Sequence, residues 1–192
     1  MSARFAQDRL VPGRAGLIVI DIQERLVSAM PAAIAAAVVH ATQVLIEAAK
    51  QLAVPIVVSE QYPKGLGRTV PGLADALASA AHVHRLEKTL FSVAQTGEWA
   101  RLRTQLGRDQ WVVAGMETHI CVAQTVRDLR RDGAQVAVAA DAVCSRSKAN
   151  WRVGLDLARS ADAQISSSEA VAFEWLGGAG GDAFKAISKL IK

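Results

Sequence analysis

A single α/β domain built on a parallel sheet is what this chain predicts, on three observations. Short β-branched runs alternate with longer Ala- and Leu-rich stretches, the pattern of strands joined by crossover helices. Most of the runs are apolar throughout, as suits strands covered by helices on both faces, whereas a sandwich strand with one wet face alternates. The 192 residues, 51% hydrophobic and 21% charged, suffice to withdraw roughly 70% of the unfolded chain's surface from water without disulfides or a structural metal.

Six strands are expected, at 16–21, 54–59, 83–86, 110–115, 135–140 and, more briefly, 163–166. Helices are expected between and after them, at 32–52, 72–80, 97–106, 118–131, 151–161 and 168–176. Gly107 and Gly133 follow two of these as C-terminal caps, since glycine adopts the left-handed conformation that ends a helix. An amphipathic helix at 182–191 closes the chain after Gly177, Gly178, Gly180 and Gly181. With no internal repeat, low-complexity tract or linker, residues 1–192 read as one three-layer α/β/α domain with right-handed crossovers.

Composition narrows the function. The apolar runs Leu17 to Ile20 and Val136 to Ala140 fall far short of the roughly 20 residues of a membrane helix, so no membrane association is expected. The opening segment carries Arg4, Arg9 and Arg14 without a continuous apolar stretch, which argues against a secretory signal and for the cytoplasm. Cys121 and Cys144 form no CxxC or zinc-finger spacing and suit free thiols in a reducing compartment. The net charge of +4 comes from 22 basic and 18 acidic residues. Its densest cluster, Arg127, Arg130 and Arg131, is interrupted by Asp128 and Asp132, a solvated helix face, so no nucleic-acid partner is expected.

In open parallel sheets ligands bind beyond the carboxyl ends of the strands. There the sequence places Asp21 after strand one, Glu60 and Gln61 after strand two, Glu87 and Lys88 after strand three, and Glu117, Thr118, His119 and Cys121 after strand four. Each alone is more often a turn former or helix cap than a catalyst. Cys121 falls in the first turn of a helix, where free N–H groups and the helix dipole lower a thiol pKa below about 8.5; alternatively it is a small buried hydrophobe between Ile120 and Val122. A nucleophilic thiol needs a base and a cation, and the same edge offers Asp21 and Lys88. Lys88 also reads as a surface residue beside Glu87, and spacing leaves open whether the three meet.

Three segments carry a resemblance: Leu17-Ile-Val-Ile-Asp-Ile-Gln-Glu-Arg-Leu26, Arg85-Leu-Glu-Lys-Thr-Leu-Phe-Ser92 and Val113-Ala-Gly-Met-Glu-Thr-His-Ile-Cys-Val-Ala-Gln-Thr125. With Ala140-Asp-Ala-Val-Cys-Ser-Arg146, the chain from about 14 to 176 resembles the isochorismatase-like cysteine hydrolases, the superfamily of nicotinamidases and N-carbamoylsarcosine amidohydrolase. The resemblance implies strand order 3-2-1-4-5-6 and a catalytic triad of Asp21, Lys88 and Cys121. It also implies a cis peptide at Met116–Glu117 and an oxyanion hole from the Glu117 and Cys121 N–H groups. Lys88, two strands from Asp21, must then reach across roughly 10 Å.

Isochorismatases proper, which cleave a vinyl ether, lack the cysteine, so Cys121 points to an amide-type substrate. Nicotinamidases carry an Asp-x-His metal motif where this chain has Ser59-Glu-Gln-Tyr-Pro-Lys-Gly-Leu-Gly67, so neither a metal nor another cofactor is expected, and the segment resembles the isochorismatase-domain-containing hydrolases. Gln23 and His119 sit beside triad members and are candidate pocket residues, as are Tyr62, Phe91 and Trp151. Cys144 follows strand five on the same edge, as a packed thiol or a redox neighbour of Cys121. The glycines at 177–181 follow a helix and make a poor phosphate loop. The expected activity is hydrolysis of a small carboxamide by a homo-oligomer; the rivals are a quiet interaction module of the same fold and a hydrolase of an ester, thioester or ether.

Overall fold

In the computed structural model of the chain, which describes residues 9–191, six strands form one parallel sheet in the order β3-β2-β1-β4-β5-β6. Arg4 and its neighbours at 1–8 lie outside the described residues. The strands are β1 (Ala15–Ile20), β2 (Ile56–Gln61), β3 (Val83–Lys88), β4 (Gln110–Met116), β5 (Gln135–Cys144) and β6 (Gln164–Ser166). The helices are α1 (Glu24–Ser28), α2 (Ala32–Gln51), α3 (Pro63–Leu66), α4 (Pro71–Ala78), α5 (Gly97–Leu106), α6 (Ala123–Arg131), α7 (Lys148–Ser160), α8 (Ser168–Leu176) and α9 (Gly181–Ile191).

The unbroken apolar runs have the cause expected of them. Along β1, Leu17 and Val19 join one core cluster while Ile18 and Ile20 join the other, because successive side chains leave a strand on opposite faces. The first core lies under α2, α4, α8 and α9, and the second under α5, α6 and α7. In the second, Trp99 of α5 meets Trp111 of β4 edge-on, with ring centroids 4.8 Å apart. Fully burying an aliphatic side chain such as Leu17 or Ile18 stabilises by about 1.5–3 kcal/mol.

By length and composition alone α2 is apolar enough to cross a membrane, which a search for uninterrupted aliphatic runs passes over because alanines make up much of it. Half of that stretch is buried inside the fold, where Ala35, Val38, Ala41, Leu45 and Ala49 lie in the first core. Amphipathic packing on the sheet accounts for its composition.

Several boundaries differ from the sequence reading. β2 and β3 run on to Gln61 and Lys88, because their polar ends stay in register, Glu60 opposite Glu87 and Gln61 opposite Lys88. β5 continues to Cys144 beyond a register shift against β4 between Val113 and Gly115. The expected helix at 118–131 starts instead as a π-helical turn, Thr118–Val122, before α6. Two glycines lie too close to neighbouring backbone for any side chain. A Cβ on Gly115, whose φ is +132°, would lie 2.1 Å from the Ile20 carbonyl oxygen, and one on Gly154 of α7 would lie 2.5 Å from the backbone of Thr118. These close approaches press the end of β4 against β1 and seat α7 on the turn that carries Cys121.

Candidate active site

Asp21 is the first residue beyond β1 and has a φ of 52°, a left-handed conformation that aspartate tolerates better than most residues. Its N–H donates to the Ser59 carbonyl at 3.1 Å. The Ser59 hydroxyl donates to Oδ1 at 2.7 Å, and Lys88 Nζ donates to Oδ2 at 2.6 Å. Both side chains of the Asp21–Lys88 pair are fully buried. The lysine does reach across the sheet, and its three protons all find acceptors: Asp21, Gln61 Oε1 at 2.8 Å and the Phe91 carbonyl at 3.0 Å.

Such a buried ion pair is tolerable only where every donor and lone pair is matched, and a second layer does the matching. The Gln61 N–H donates to Gln23 Oε1 at 2.7 Å, while Gln23 Nε2 donates to the Gln61 and Gly67 carbonyls. Gln61 Nε2 donates to the Thr89 carbonyl. Next to it, the Glu60 carboxylate accepts from the Thr69 N–H, the Thr69 hydroxyl and Arg68, and Arg68 also pairs with Glu87. Ser59 and Gln61 thus adjoin the pair, though the sequence marks Gln61 only as a polar residue after strand two and Ser59 only as the last residue of that strand. Their signal is the two-residue spacing, which puts both on one face of β2.

Cys121 sits within the π-helical turn, where the Ile120 and Val122 N–H groups both donate to the Glu117 carbonyl. Wide turns of this kind occur often at functional sites. The thiol lies against Asp21 and Lys88, and each shifts its ionisation through charge and a side-chain hydrogen bond. Burial first, and then the Asp21 charge, push the thiol from 9.0 up to about 12, with Lys88 opposing. The acidified thiol expected from a helix start is therefore corrected: desolvation and a neighbouring carboxylate outweigh the helix dipole. Burial also raises the Asp21 carboxyl above its ordinary 3.8, against the Lys88 charge and the hydrogen bonds from Lys88, Ser59 and Cys121.

The Met116–Glu117 peptide is cis. The Glu117 N–H has no hydrogen-bond partner among the described residues, while the Glu117 carboxylate, 7% exposed, accepts from both the N–H and Nε of Arg146. The remaining sequence candidates make contacts of their own. Gln23 is fully buried with its amide engaged as described. Tyr62 and Phe91 are half exposed on the β2 and β3 side, His119 Nδ1 meets the Ser145 hydroxyl at 3.0 Å, and Trp151 Nε1 donates to the Ala140 carbonyl. Cys144, a free thiol like Cys121, is the β5 partner of Met116. Burial and then the Glu117 charge raise it to about 12. Among the described residues no group of three or more His, Cys, Asp or Glu is placed to hold a metal ion.

The model of the isochorismatase domain matches residues 15–170, a span holding Asp21, Lys88, Cys121 and the cis peptide. The chain belongs to the isochorismatase family of hydrolases. It is 38% identical to the secreted isochorismatase effector Isc1 of Phytophthora sojae over all of this chain and 90% of that protein. It is 36% identical to isochorismatase domain-containing protein 2 of Bos taurus, over all of this chain and 89% of that protein. Among solved structures, MAR1 ribonuclease from Caenorhabditis elegans superposes with a TM-score of 0.87 at 34% identity, covering 96% of this chain and 92% of that one.

Proposed function

We propose that this isochorismatase-family hydrolase cleaves the C–N bond of a small carboxamide through an acyl-cysteine, with Asp21, Lys88 and Cys121 as its catalytic residues. The observation that carries the reading is the sealed Asp21–Lys88 pair, 2.6 Å long, with the Cys121 thiol set against both partners. A carboxylate held this way is a base with no water to compete for it, and the adjacent ammonium offsets negative charge as it forms on sulfur.

The resting thiol is neutral, so its proton leaves as sulfur attacks. Asp21 takes the Sγ proton while the sulfur bonds to the carbonyl carbon, and the negative charge moves to the carbonyl oxygen. The Glu117 and Cys121 N–H groups would hold that oxygen, and the unpartnered Glu117 N–H supports its half of the task. On collapse the C–N bond breaks, and Asp21 returns the proton to the departing amine. Water then gives a proton to Asp21 and its oxygen to the thioester carbon. The carboxylic acid departs, and the proton returns to sulfur. Gln61 and Ser59 are positioning residues, acting through Lys88 and Asp21.

Screening small carboxamides against matched esters, thioesters and ethers with the purified protein tests the substrate class, with Cys121→Ala as the control. Cys121-dependent release of ammonia or amine supports the reading. A preference for esters or ethers replaces the bond type, and no turnover of any class favours the quiet interaction module. The name of the worm relative makes RNA the competing substrate: Cys121-dependent cleavage of RNA, with amides untouched, overturns the amide reading and the expectation of no nucleic-acid partner. The proposal includes a cytoplasmic homo-oligomer, tested by light scattering and cell fractionation.

A further inference from the structure

We propose that the free edge of β3 is an interface between two copies of this chain, joined antiparallel about a two-fold axis at Leu86 so that Arg85 of each copy pairs with Glu87 of the other. The inference deepens the homo-oligomer reading and rests on it, and it is independent of the chemistry proposed for Cys121. β3 lies at one edge of the sheet, and successive residues of a strand direct their backbone groups to opposite sides. The Ile56 N–H donates to the His82 carbonyl, and the Tyr62 N–H, just beyond β2, donates to the Lys88 carbonyl. The even-numbered residues of β3 therefore turn toward β2. Val83, Arg85 and Glu87 present their N–H and C=O groups outward, without backbone partners among the described residues. A row of unpaired groups of this kind is a template for another strand. The opposite edge, β6, is only three residues long.

The side chains select the occupant and the register. Arg85 and Glu87 are both exposed and, two residues apart, stand on one face of the strand. Charged residues commonly guard an edge by repelling other chains, but two opposite charges at this spacing are self-complementary. Centred on Leu86, an antiparallel pair sets Arg85 opposite Glu87 twice, each time in a pair that exchanges its outward N–H and C=O groups. Centred on Arg85 or on Glu87, the same pair sets like charges face to face, which is destabilising. Arg85 has no hydrogen bond or ion pair among the described residues. Glu87 gives Oε1 to Arg68 at 2.6 Å, which leaves Oε2 as an acceptor. Beyond the strand, Leu90 and Phe91 are about half exposed and add apolar area at each end of the interface. One patch matched to itself closes into a dimer, and here the pairing braces the strand that carries Lys88.

Charge reversal tests the pairing, read by sedimentation velocity over a concentration series at low salt. Arg85→Glu and Glu87→Arg each turn two ion pairs into two like-charge contacts, and each is expected to raise the dissociation constant of this interface roughly thirtyfold. In an equimolar mixture of the two variants every contact is again Glu opposite Arg. The mixture is expected to regain association to within about threefold of the wild type, which neither variant reaches alone. Thermal melts identify any variant that fails to fold. Should Glu87→Arg fail for want of its Arg68 contact, Arg85→Glu carries the test, because the native side chain has no partner to lose. It is then expected to associate about fivefold more weakly than Arg85→Gln, which removes the charge without reversing it. A monomeric wild type overturns both this interface and the homo-oligomer reading. An oligomeric wild type whose association is unchanged in the folded variants, equal association of Arg85→Glu and Arg85→Gln, or single variants that stay apart when mixed overturn the β3 interface and leave that reading standing.

Discussion

The two cysteines stand at the ends of neighbouring strands, and burial raises both thiols to about 12, yet their surroundings differ in kind. Cys121 meets a carboxylate and an ammonium that are themselves locked by Ser59, Gln61 and the Phe91 carbonyl. Cys144 has only the charge of Glu117 to perturb it beyond burial, and that carboxylate is tied to Arg146. On the proposed mechanism, a depressed resting pKa is therefore not what separates the nucleophile from a packing thiol. The difference is a base placed to receive the proton and a cation placed to compensate the charge.

The largest effect that this contrast predicts is in turnover. Cys121→Ala is expected to lower kcat for a carboxamide by at least about 10⁴-fold, on the scale of losing a covalent nucleophile. Cys144→Ala is expected to stay within about twofold, and a comparable loss in both variants would erase the distinction. Lys88→Met comes next. It leaves Asp21 buried without its cation and is expected to cost about 3 kcal/mol in denaturant unfolding, together with roughly 10²-fold or more in kcat.

In one respect the two thiols should behave alike. Each is kept protonated by the fold up to about pH 12, whereas in the unfolded chain it ionises near 9. Between those values the native state binds more protons, so stability falls as pH rises, by roughly 1 kcal/mol per pH unit for each thiol. Urea unfolding from pH 8.5 to 11 should show this slope in the wild type. It should be shallower by a similar amount in Cys121→Ala and Cys144→Ala. The smallest effect expected is that of Gln61→Leu, which removes one of three acceptors on Lys88 and should reduce kcat/KM about tenfold while shifting the pH profile of kcat. A fall in stability with an unmoved pH profile would reduce Gln61 to a structural brace.

Much of the fold was legible because continuous apolar runs such as Leu17 to Ile20 can be buried on both faces only in a covered parallel sheet. The site was legible as three separate strand ends. Bringing Asp21 and Lys88 together needed the family's strand order, because local sequence carries no information about which strands become neighbours. The ends of β2 and β3 extend beyond the sequence reading: hydropathy counts Glu60, Gln61, Glu87 and Lys88 as polar and misses that each is matched across the ladder. The upward shift of the Cys121 thiol is not readable locally for a similar reason, since it follows from burial beside a carboxylate 100 residues away in the chain. Sequence position offers both a helix start and a buried thiol between Ile120 and Val122, without the carboxylate that raises its pKa.

The central claim, that Asp21 and Lys88 make Cys121 rather than Cys144 the nucleophile, is tested most directly by acid-quenching the protein during carboxamide turnover and mapping the peptides by mass. The expected result is an acyl group on the Cys121 peptide, none on the Cys144 peptide and none on either in Asp21→Asn. An acyl group on Cys144, or full turnover in Cys121→Ala, would contradict it.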